Sequence, residues 1–370
     1  MNPVNSLPNK RKKIAIIFPK NSESIFNNKK QTFGGATVLL FNYAMELGKN
    51  HDVYCLTNEI DDIDYKEFPN LKFRFTFNKN DNYFKKIIKF HKALRFVKPD
   101  IVIQHGLSRF STFLGFYCRL FRMKFIFLFA HDRECRGRFQ TSDRFNSLYP
   151  LLLFSTNYLI VQNDYQYEHV NNVFTKRKLF KIKNGFPINF SDFSDLSTKR
   201  NVLWVARLES WKRPELCIDA AIKNPEIPFV MIAPADERNK EYVLKIYETA
   251  KNTKNITILD FVHYKDIDKY FAEARIFLNT STEEGFPNTF LQACKNRTPI
   301  VSLNVNPDNF ITEHRVGEFC DNDIDKMNCS IENIYNNDSV FKNYADRALE
   351  YAKENHCIEK NSQLLEKLFT

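Results

Sequence analysis

The sequence predicts an α/β protein built on parallel β-sheets. Short runs of Val, Ile, Leu and Phe recur along the chain, and stretches with the apolar spacing of helices separate them. Strands that are buried on both faces of a parallel sheet are continuously apolar, and the connecting helices cover those faces. With 370 residues, of which 43% are hydrophobic, the chain is long enough for two domains of ordinary size.

Composition narrows the class of protein further. The formal net charge of +10 favours an anionic ligand or surface as a partner, and nucleic acid and anionic lipid both satisfy that condition. The eight cysteines are scattered without a C-x-x-C pair, so we expect reduced thiols. Residues 1–13 lack the apolar core of a signal peptide, and no apolar run approaches the roughly 20 residues of a spanning helix. We therefore predict a cytoplasmic protein, either soluble or at the inner face of a membrane.

The amino-terminal half contains the elements of one Rossmann-like domain. Its first predicted strand is 13–18, and the paired glycines Gly34 and Gly35 precede a helix with apolar residues from 38 to 47. A strand, a glycine-rich loop and a helix form a phosphate-binding arrangement, although paired glycines also occur in ordinary turns. Further strands are predicted at 51–56, 71–77, 100–106, 124–130, 158–163 and 179–183.

Two basic amphipathic helices are predicted in the same half, at 79–98 and 111–124. Each interleaves Lys and Arg with Phe, Tyr, Ile and Leu. Such helices bind anionic membranes, which would make the protein a peripheral membrane protein. In the alternative interpretation the apolar face belongs to the core and the basic face is merely solvated. The sequence leaves both open, and because no nucleic-acid-binding motif accompanies the helices we predict no nucleic acid partner.

Two histidines follow predicted strands at the edge where open α/β sheets bind ligands. His105 ends the strand at 100–106, and His131 follows the strand at 124–130. A lone histidine is more often structural than functional, so the sequence pattern alone assigns no role to either.

The most informative stretch is 279–304, NTSTEEGFPNTFLQACKNRTPIVSLN. It predicts the end of a buried strand, an acidic turn, a helix capped by Asn288 or Thr289, and a return strand at 298–303. A helix amino terminus offers N–H groups and a positive dipole to an anion such as diphosphate. Glu284 in the turn can accept hydrogen bonds from sugar hydroxyls. Since acidic turns are common in α/β proteins, the turn alone does not decide the function.

The pattern E-G-F-P-N-x-x-L-x-A, followed by P-I-V-S, resembles the signature of retaining, GT-B-fold glycosyltransferases of family 4, the glycosyl transferases group 1. The resemblance implies that Glu284 contacts the donor sugar. It also implies a donor site that includes the turn residues Phe286, Pro287, Asn288 and Thr289. Family members usually carry a second Glu that holds the ribose, and here that position is Gln292. An amide has one acceptor oxygen where a carboxylate has two, so we expect lower nucleotide affinity.

The resemblance extends to the segment N-V-L-W-V-A-R-L-E-S-W-K at 201–212. It implies that Arg207 and Lys212 clamp the donor diphosphate, whose negative charge grows as the glycosidic bond breaks. Ala206 and Arg213 stand where the family has glycines. In the amino-terminal half, the resemblance implies that Gly34 and Gly35 lie near the donor phosphates. It likewise implies that His131 faces the donor sugar.

The resemblance thus implies a GT-B fold, with two Rossmann-like domains facing across a cleft and a carboxyl-terminal helix crossing back. We place an acceptor domain at 1–190, a donor domain at 191–340 and the final helix at 341–370. The expected activity is metal-independent hexosyl transfer, without a cofactor, from a nucleotide-diphosphate sugar to a glycan or lipid-linked acceptor. The expected setting is bacterial surface polysaccharide synthesis. A nucleotide-sugar 2-epimerase and a non-catalytic nucleotide-sugar binder remain alternatives.

Overall fold

The chain forms two units in a computed structural model, which describes residues 10–20, 22–27, 34–77, 81–136, 148–172, 178–188, 195–235 and 239–370. The first unit comprises Met1–Ile182 with Glu359–Thr370, and the second comprises Lys183–Ile358. This division lies before the linker that we placed after residue 190. The polar amino terminus at 1–9, the start of the glycine loop at 32–33 and the linker residues 191–194 lie outside the described residues.

The first unit contains a seven-stranded sheet in which every pair of neighbouring strands is parallel. Its strands are β1 (Lys13–Ile17), β2 (Asp52–Asn58), β3 (Leu71–Phe77), β4 (Ile101–His105), β5 (Lys124–Leu128), β6 (Tyr158–Val161) and β7 (Leu179–Lys181). Their order across the sheet is β3-β2-β1-β4-β5-β6-β7. The central strands are buried because helices cover both faces of the sheet. Strand β4 is buried along its whole length and begins with Ile-Val-Ile, and β5 is apolar after Lys124.

Helices connect these strands. They are α1 (Gly35–Leu47), α2 (Tyr83–Val97), α3 (Arg109–Leu120), α4 (Asp132–Cys135), α5 (Tyr149–Ser155) and α6 (Asp164–Asn171). Buried side chains from β4, β5 and β6, among them Val102, Phe127 and Leu159, form one core cluster with residues from α2, α3 and α5. None of the helices that the structure describes is both long and apolar enough to cross a membrane.

The second unit contains a six-stranded parallel sheet. Its strands are β8 (Asn201–Val205), β9 (Phe229–Ile232), β10 (Ile256–Leu259), β11 (Ala274–Asn279), β12 (Ile300–Ser302) and β13 (Gly317–Phe319), in the order β10-β9-β8-β11-β12-β13. Its helices are α7 (Pro214–Lys223), α8 (Lys240–Lys251), α9 (Ile267–Glu273), α10 (Asn288–Lys295), α11 (Phe310–Glu313), α12 (Ile324–Asn336) and α13 (Asp338–Asn355). Strand β13 was not predicted, because three residues without an apolar run carry no strand signal.

The carboxyl-terminal segment is helical but interrupted. Helix α13 ends at Asn355, and a further helix, α14 (Ile358–Glu366), begins after His356 and Cys357. At the interruption the backbone pairs with the extended segment around Phe186, whose N–H donates to the His356 carbonyl at 2.8 Å. The Ile358 N–H donates to the Phe186 carbonyl at 3.1 Å. The hydrogen bonds that would continue α13 are therefore replaced by pairing between two chain segments.

Candidate active site

The candidate site of the second unit is built on two loops that follow neighbouring strands. Strands β8 and β11 pair in parallel, with Leu203 opposite Phe277. Because the carboxyl ends of parallel strands meet at one edge of the sheet, the loops after Val205 and Asn279 lie side by side. The first loop carries Arg207 and Lys212, and the second carries Glu284.

Hydrogen bonds fasten the two loops to each other. The indole Nε1–H of the buried Trp204 donates to Thr280 Oγ1 at 2.9 Å. The Thr280 hydroxyl lies 2.7 Å from the Lys212 carbonyl, to which it donates. One residue pair further along, the Thr282 N–H donates to the Trp211 carbonyl at 2.9 Å. The relative position of the two loops is thus set by bonds that do not involve the predicted ligand-binding side chains.

Lys212 and Glu284 form an ion pair between Nζ and Oε1. The side chains are only 13% and 10% exposed, so the charges compensate each other where solvent access is limited. The Ser281 hydroxyl donates to the same carboxylate oxygen at 3.0 Å. Lys212 Nζ also lies 3.8 Å from the centroid of the Trp211 ring, within the range of a cation–π interaction. The structure therefore brings together two residues that the family resemblance assigned to one site.

Arg207 is held more loosely. Its side chain is 42% exposed, and Nη2 lies 3.2 Å from Oε1 of Glu209 on the same loop. The Glu209 side chain is only 10% exposed, so the pair is open to solvent on its arginine side alone. An anionic ligand can approach the guanidinium from that side, in competition with the Glu209 carboxylate.

Arg213 replaces a glycine of the family pattern and adopts the backbone conformation that favours glycine. Its φ is 49°, in the left-handed region, which costs a non-glycine residue about 1–2 kcal/mol. The guanidinium donates to the Thr280 carbonyl at 2.6 Å through Nε and to Asn322 Oδ1 at 2.9 Å through Nη1. These charge-assisted bonds offset the strain and brace the second loop. Sequence analysis noted that position 213 lacks the glycine of the family pattern, but it did not predict that Arg213 braces the second loop.

The amino terminus of α10 differs from the prediction in its cap. We expected Asn288 or Thr289 to cap the helix, whereas the N-cap residue is Pro287 and no side chain caps it. Asn288 and Thr289 are instead the first two helical residues. Pro287 has φ −63° and ψ 126°, an extended conformation that suits proline and ends the turn one residue earlier than expected. No side chain caps the helix, so its dipole favours an anion near this first turn.

Phe286 lies in an aromatic cluster beneath the turn. Its ring is 5.1 Å from Phe310 and 4.9 Å from the imidazole of His356, and the side chain is buried. His356 Nδ1 lies 2.7 Å from the Asn184 carbonyl, and Nε2 lies 3.1 Å from the Tyr351 hydroxyl. Burial lowers the pKa of His356 to about 3, so the imidazole is neutral and Nδ1–H donates. Phe286 therefore anchors the turn, and sequence analysis missed His356 because it lies 70 residues further along.

Gln292 lies one turn after Asn288 on the same face of α10. Its side chain is 6% exposed. Among the residues that the structure describes, the side-chain amide has no hydrogen-bond partner. A nearly buried amide without a protein partner is suited to a polar ligand group.

The predicted residues of the first unit lie on loops that follow β1 and β5. Gly34 is the N-cap of α1 and Gly35 its first residue, and α1 has no side-chain cap bond. A Cβ added at Gly34 would meet open space, so the backbone there is open to approach. His131 is exposed and occupies the N-cap position of α4.

Two neighbours of His131 have perturbed acid–base properties. Glu134 accepts hydrogen bonds from the N–H groups of Leu107 at 2.9 Å and Ala130 at 2.8 Å, and burial raises the pKa of its carboxyl. His105 is buried beside Gln162, with Nε2 of each side chain 3.0 Å from the other. Burial lowers the pKa of His105 to about 3, so this imidazole is neutral. His105 is therefore a buried, neutral polar residue at the carboxyl end of β4.

No group of three or more His, Cys, Asp or Glu side chains that could hold a metal ion is found within the described ranges.

Comparison with known proteins agrees with this arrangement. Residues 188–355 match the family model described as Glycosyl transferases group 1. No curated protein matches the sequence.

The whole chain resembles several solved structures at low sequence identity. HepE of Anabaena, solved with UDP and glucose, is 15% identical, with a TM-score of 0.72 over 96% of this chain and 98% of HepE. Sucrose-phosphate synthase of Thermosynechococcus elongatus is 13% identical, with a TM-score of 0.77 over 97% and 98% of the two chains. WaaG, a glycosyltransferase involved in lipopolysaccharide biosynthesis, is 13% identical, with a TM-score of 0.66 over 96% and 99%. The chain thus has the α/β fold of GT-B glycosyltransferases, and its residues 188–355 match the glycosyl transferases group 1.

Proposed function

We propose that the protein is a retaining glycosyltransferase of family 4 that uses a nucleotide-diphosphate sugar as its donor. The observation that carries this proposal is the grouping of Arg207, Lys212 and Glu284 on two adjoining loops, with the uncapped α10 directly after the second loop. All of these residues lie inside the segment that matches the glycosyl transferases group 1. Two cations and a helix amino terminus suit a diphosphate, and a carboxylate suits sugar hydroxyls.

In this proposal the donor diphosphate displaces Glu284 from Lys212. A diphosphate carries more negative charge than one carboxylate, so it competes for the ammonium group. Once released, Glu284 retains the hydrogen bond from Ser281 and can accept bonds from the sugar hydroxyls. The ion pair is then a resting arrangement in which each partner holds the other near the position that it needs in the complex.

The nucleoside is held by α10. The side-chain amide of Gln292 has no described protein partner and can accept one hydrogen bond from a ribose hydroxyl while donating to another acceptor. A carboxylate could accept bonds from both ribose hydroxyls. We therefore expect nucleotide binding that is weaker than in relatives with Glu at this position.

The reaction exchanges one glycosidic bond for another. The bond between the anomeric carbon and the diphosphate oxygen breaks, and an acceptor hydroxyl forms a new bond to that carbon from the same face. The acceptor proton passes to the leaving diphosphate oxygen, whose negative charge Arg207, Lys212 and the α10 dipole stabilise. Retention on this route requires no covalent intermediate with the protein and no metal ion. In this proposal His131 makes a polar contact with the sugar, and Gly34 and Gly35 approach the phosphates.

The acceptor is proposed to be a glycan or a lipid-linked glycan, made at the cytoplasmic side in bacterial surface polysaccharide synthesis. One structural neighbour supports this choice, since WaaG is involved in lipopolysaccharide biosynthesis. HepE was solved with UDP-glucose, which supports the donor class instead.

A donor panel tests the proposal. Wild type, Glu284→Gln and the matched control Glu283→Gln are incubated with UDP-, GDP- and ADP-sugars, and release of nucleoside diphosphate is measured together with the anomeric configuration of the product by NMR. Glu283 neighbours Glu284 in sequence, but its side chain is exposed. We expect one donor class to be turned over with retention, with water as a slow acceptor, and we expect only Glu284→Gln to lose this turnover. Conversion of the donor to its 2-epimer would instead support an epimerase. Binding without any turnover would support a non-catalytic binder.

A further inference from the structure

The first unit exposes an unusual concentration of large apolar side chains. Nine of the fifteen such side chains that are exposed among the described residues belong to α2, to α3 with the adjoining Phe121, and to α5. Single exposed apolar residues are ordinary on protein surfaces, but a concentration on adjacent elements marks an interaction surface. We call the outer faces of these three helices, with Phe121, the apolar-basic face.

Helix α2 carries two apolar stripes instead of one. The inner stripe includes Phe90, Leu94 and Val97, which are 4%, 2% and 1% exposed and belong to the core. The outer side chains Phe84 and Phe96 are 77% and 64% exposed. An amphipathic helix with a solvated basic face would need only the inner stripe. The Arg74 guanidinium of β3 lies 3.7 Å from the centroid of the Phe96 ring. Core packing does not explain the exposure of Phe84.

Helix α3 repeats this arrangement. Leu114 and Cys118 are fully buried, whereas Phe113, Phe116 and Leu120 are 39%, 41% and 75% exposed. The spacing of the exposed residues, i, i+3 and i+7, places them in one row along the helix. Two neighbouring helices thus direct apolar rows away from the core.

Contacts join the outer faces into one surface. The Arg95 guanidinium of α2 lies 5.5 Å from the Phe121 ring at the end of α3. The Arg119 guanidinium of α3 lies 4.9 Å from the ring of Phe154 on α5, which is 53% exposed. The Tyr117 hydroxyl of α3 lies 2.9 Å from Nδ1 of His91 on α2. Cations are therefore interleaved with the apolar side chains of the face.

Nearly all charged side chains of this region are basic. Between residues 82 and 131 the chain has ten Lys and Arg residues and a single carboxylate, Asp100. Lys85, Lys92 and Arg122 are among the exposed cations. Such a face attracts an anionic partner. Leu120 and Ile88, both exposed aliphatic side chains, gain nothing from a phosphodiester backbone, but they can enter the acyl boundary of a bilayer.

We propose that the apolar-basic face binds the surface of membranes that contain anionic lipid. Phe84, Phe116 and Leu120 enter the boundary between head groups and acyl chains, and the surrounding Lys and Arg side chains contact the head groups. Binding of this kind needs neither donor nor acceptor. It goes beyond the proposed function, and either proposal can fail without the other.

Vesicle sedimentation tests the proposal on the full chain. Partitioning is measured on phosphatidylcholine vesicles and on vesicles with about one-third phosphatidylglycerol, at low and high salt. One variant combines Phe84→Ser, Phe116→Ser and Leu120→Ser, and another combines Lys85→Gln, Lys92→Gln and Arg122→Gln. The matched control combines Ile222→Ser, Leu244→Ser and Ile324→Ser, which are 58%, 60% and 41% exposed in the second unit. Thermal unfolding of each variant verifies that it is folded.

We expect binding to anionic vesicles that weakens with salt. The charge variant should partition on the order of a hundredfold more weakly, since each Lys or Arg near an anionic surface contributes about fivefold. The apolar variant should also lose binding, and the control should bind like wild type. Equal binding to neutral and anionic vesicles, absence of binding by folded wild type, or equal binding by all variants would each overturn the proposal. Concentration-dependent dimerisation that the apolar variant abolishes, without vesicle binding, would assign the face to a second copy of the chain instead.

Discussion

Lys212 and Glu284 form an ion pair across 72 residues of sequence, between the loops that follow two adjacent strands of the second unit. Hydrogen bonds through Thr280 and Thr282 fix the two loops independently of this pair. The two charges are therefore available for exchange with a ligand without rearrangement of the loop backbones. This relationship is the basis for the first prediction.

Exchanging Lys212 and Glu284 tests whether the ion pair contributes only to stability or also to donor binding. Lys212→Met should destabilise the second unit by about 3 kcal/mol, because it leaves a largely buried carboxylate without its cation. The double variant Lys212→Glu with Glu284→Lys restores an ion pair and should recover most of this stability, yet it should remain inactive and bind donor poorly. Urea unfolding followed by tryptophan fluorescence is the measurement, since both Trp residues, Trp204 and Trp211, lie in the second unit. Donor turnover by the exchanged variant would refute the assignment.

Arg213 should show opposite contributions from strain and hydrogen bonding. Arg213→Ala removes the bonds to Thr280 and Asn322 but keeps a non-glycine residue at positive φ. Arg213→Gly removes the same bonds and relieves the strain. We expect both variants to be less stable than wild type, and the glycine variant to be more stable than the alanine variant by about 1 kcal/mol. The urea midpoints of the three proteins decide this, and equal midpoints for the two variants would show that the backbone is not strained.

Gln292→Glu should lower the stability of the free protein and raise its affinity for the nucleoside diphosphate. The new carboxylate would lie at a position that is 6% exposed, without a partner among the described side chains, so the free protein should lose stability. A carboxylate accepts stronger hydrogen bonds from ribose hydroxyls than an amide, so we expect about tenfold tighter binding of the nucleoside diphosphate. Calorimetric titration measures the affinity. Gln292→Leu is the control and should bind more weakly than wild type. Unchanged affinity in both variants would place the ribose elsewhere.

His356 should make the second unit sensitive to moderate acid. The folded-state pKa is about 3 and the unfolded-state value about 6.5, so below pH 6.5 the unfolded state takes up a proton that the folded state does not. Stability should therefore fall with decreasing pH, by about 2 kcal/mol at pH 5. His356→Asn keeps a donor for the Asn184 carbonyl and removes the titration. Its urea midpoint should change less between pH 7.5 and pH 5 than that of wild type. An identical pH dependence in the two proteins would show that His356 is not responsible.

The sequence predicted the fold more completely than the contacts of the site. The strands were predictable because parallel, doubly covered strands are rich in apolar residues, as in residues 101–103 of β4 and 125–128 of β5. Arg207, Lys212 and Glu284 were assigned to one site by resemblance alone, and the pairing of β8 with β11 now explains why their loops adjoin.

Other features depend on three-dimensional contacts that no local pattern contains. The bracing by Arg213 requires knowledge of its φ and of Asn322, more than 100 residues away. The wrong cap for α10 arose because Asn and Thr are better capping residues than the proline that occupies the position. The second apolar stripe of α2 was hidden because periodicity counts apolar positions without showing which of them face the core.

Binding of nucleoside diphosphates to wild type and Arg207→Ala tests the central claim most directly. Arg207 is 42% exposed but its partner Glu209 is 10% exposed, so thermal unfolding is measured beside binding to verify that Arg207→Ala is folded. Arg347→Ala, another exposed arginine in an ion pair, is the matched control. Calorimetric titration with UDP, GDP and ADP should show that one nucleotide binds wild type and the control equally, and binds Arg207→Ala at least about tenfold more weakly. If no nucleoside diphosphate binds wild type at millimolar concentration, or if Arg207→Ala binds as tightly as wild type, the second unit does not hold a donor diphosphate at this site.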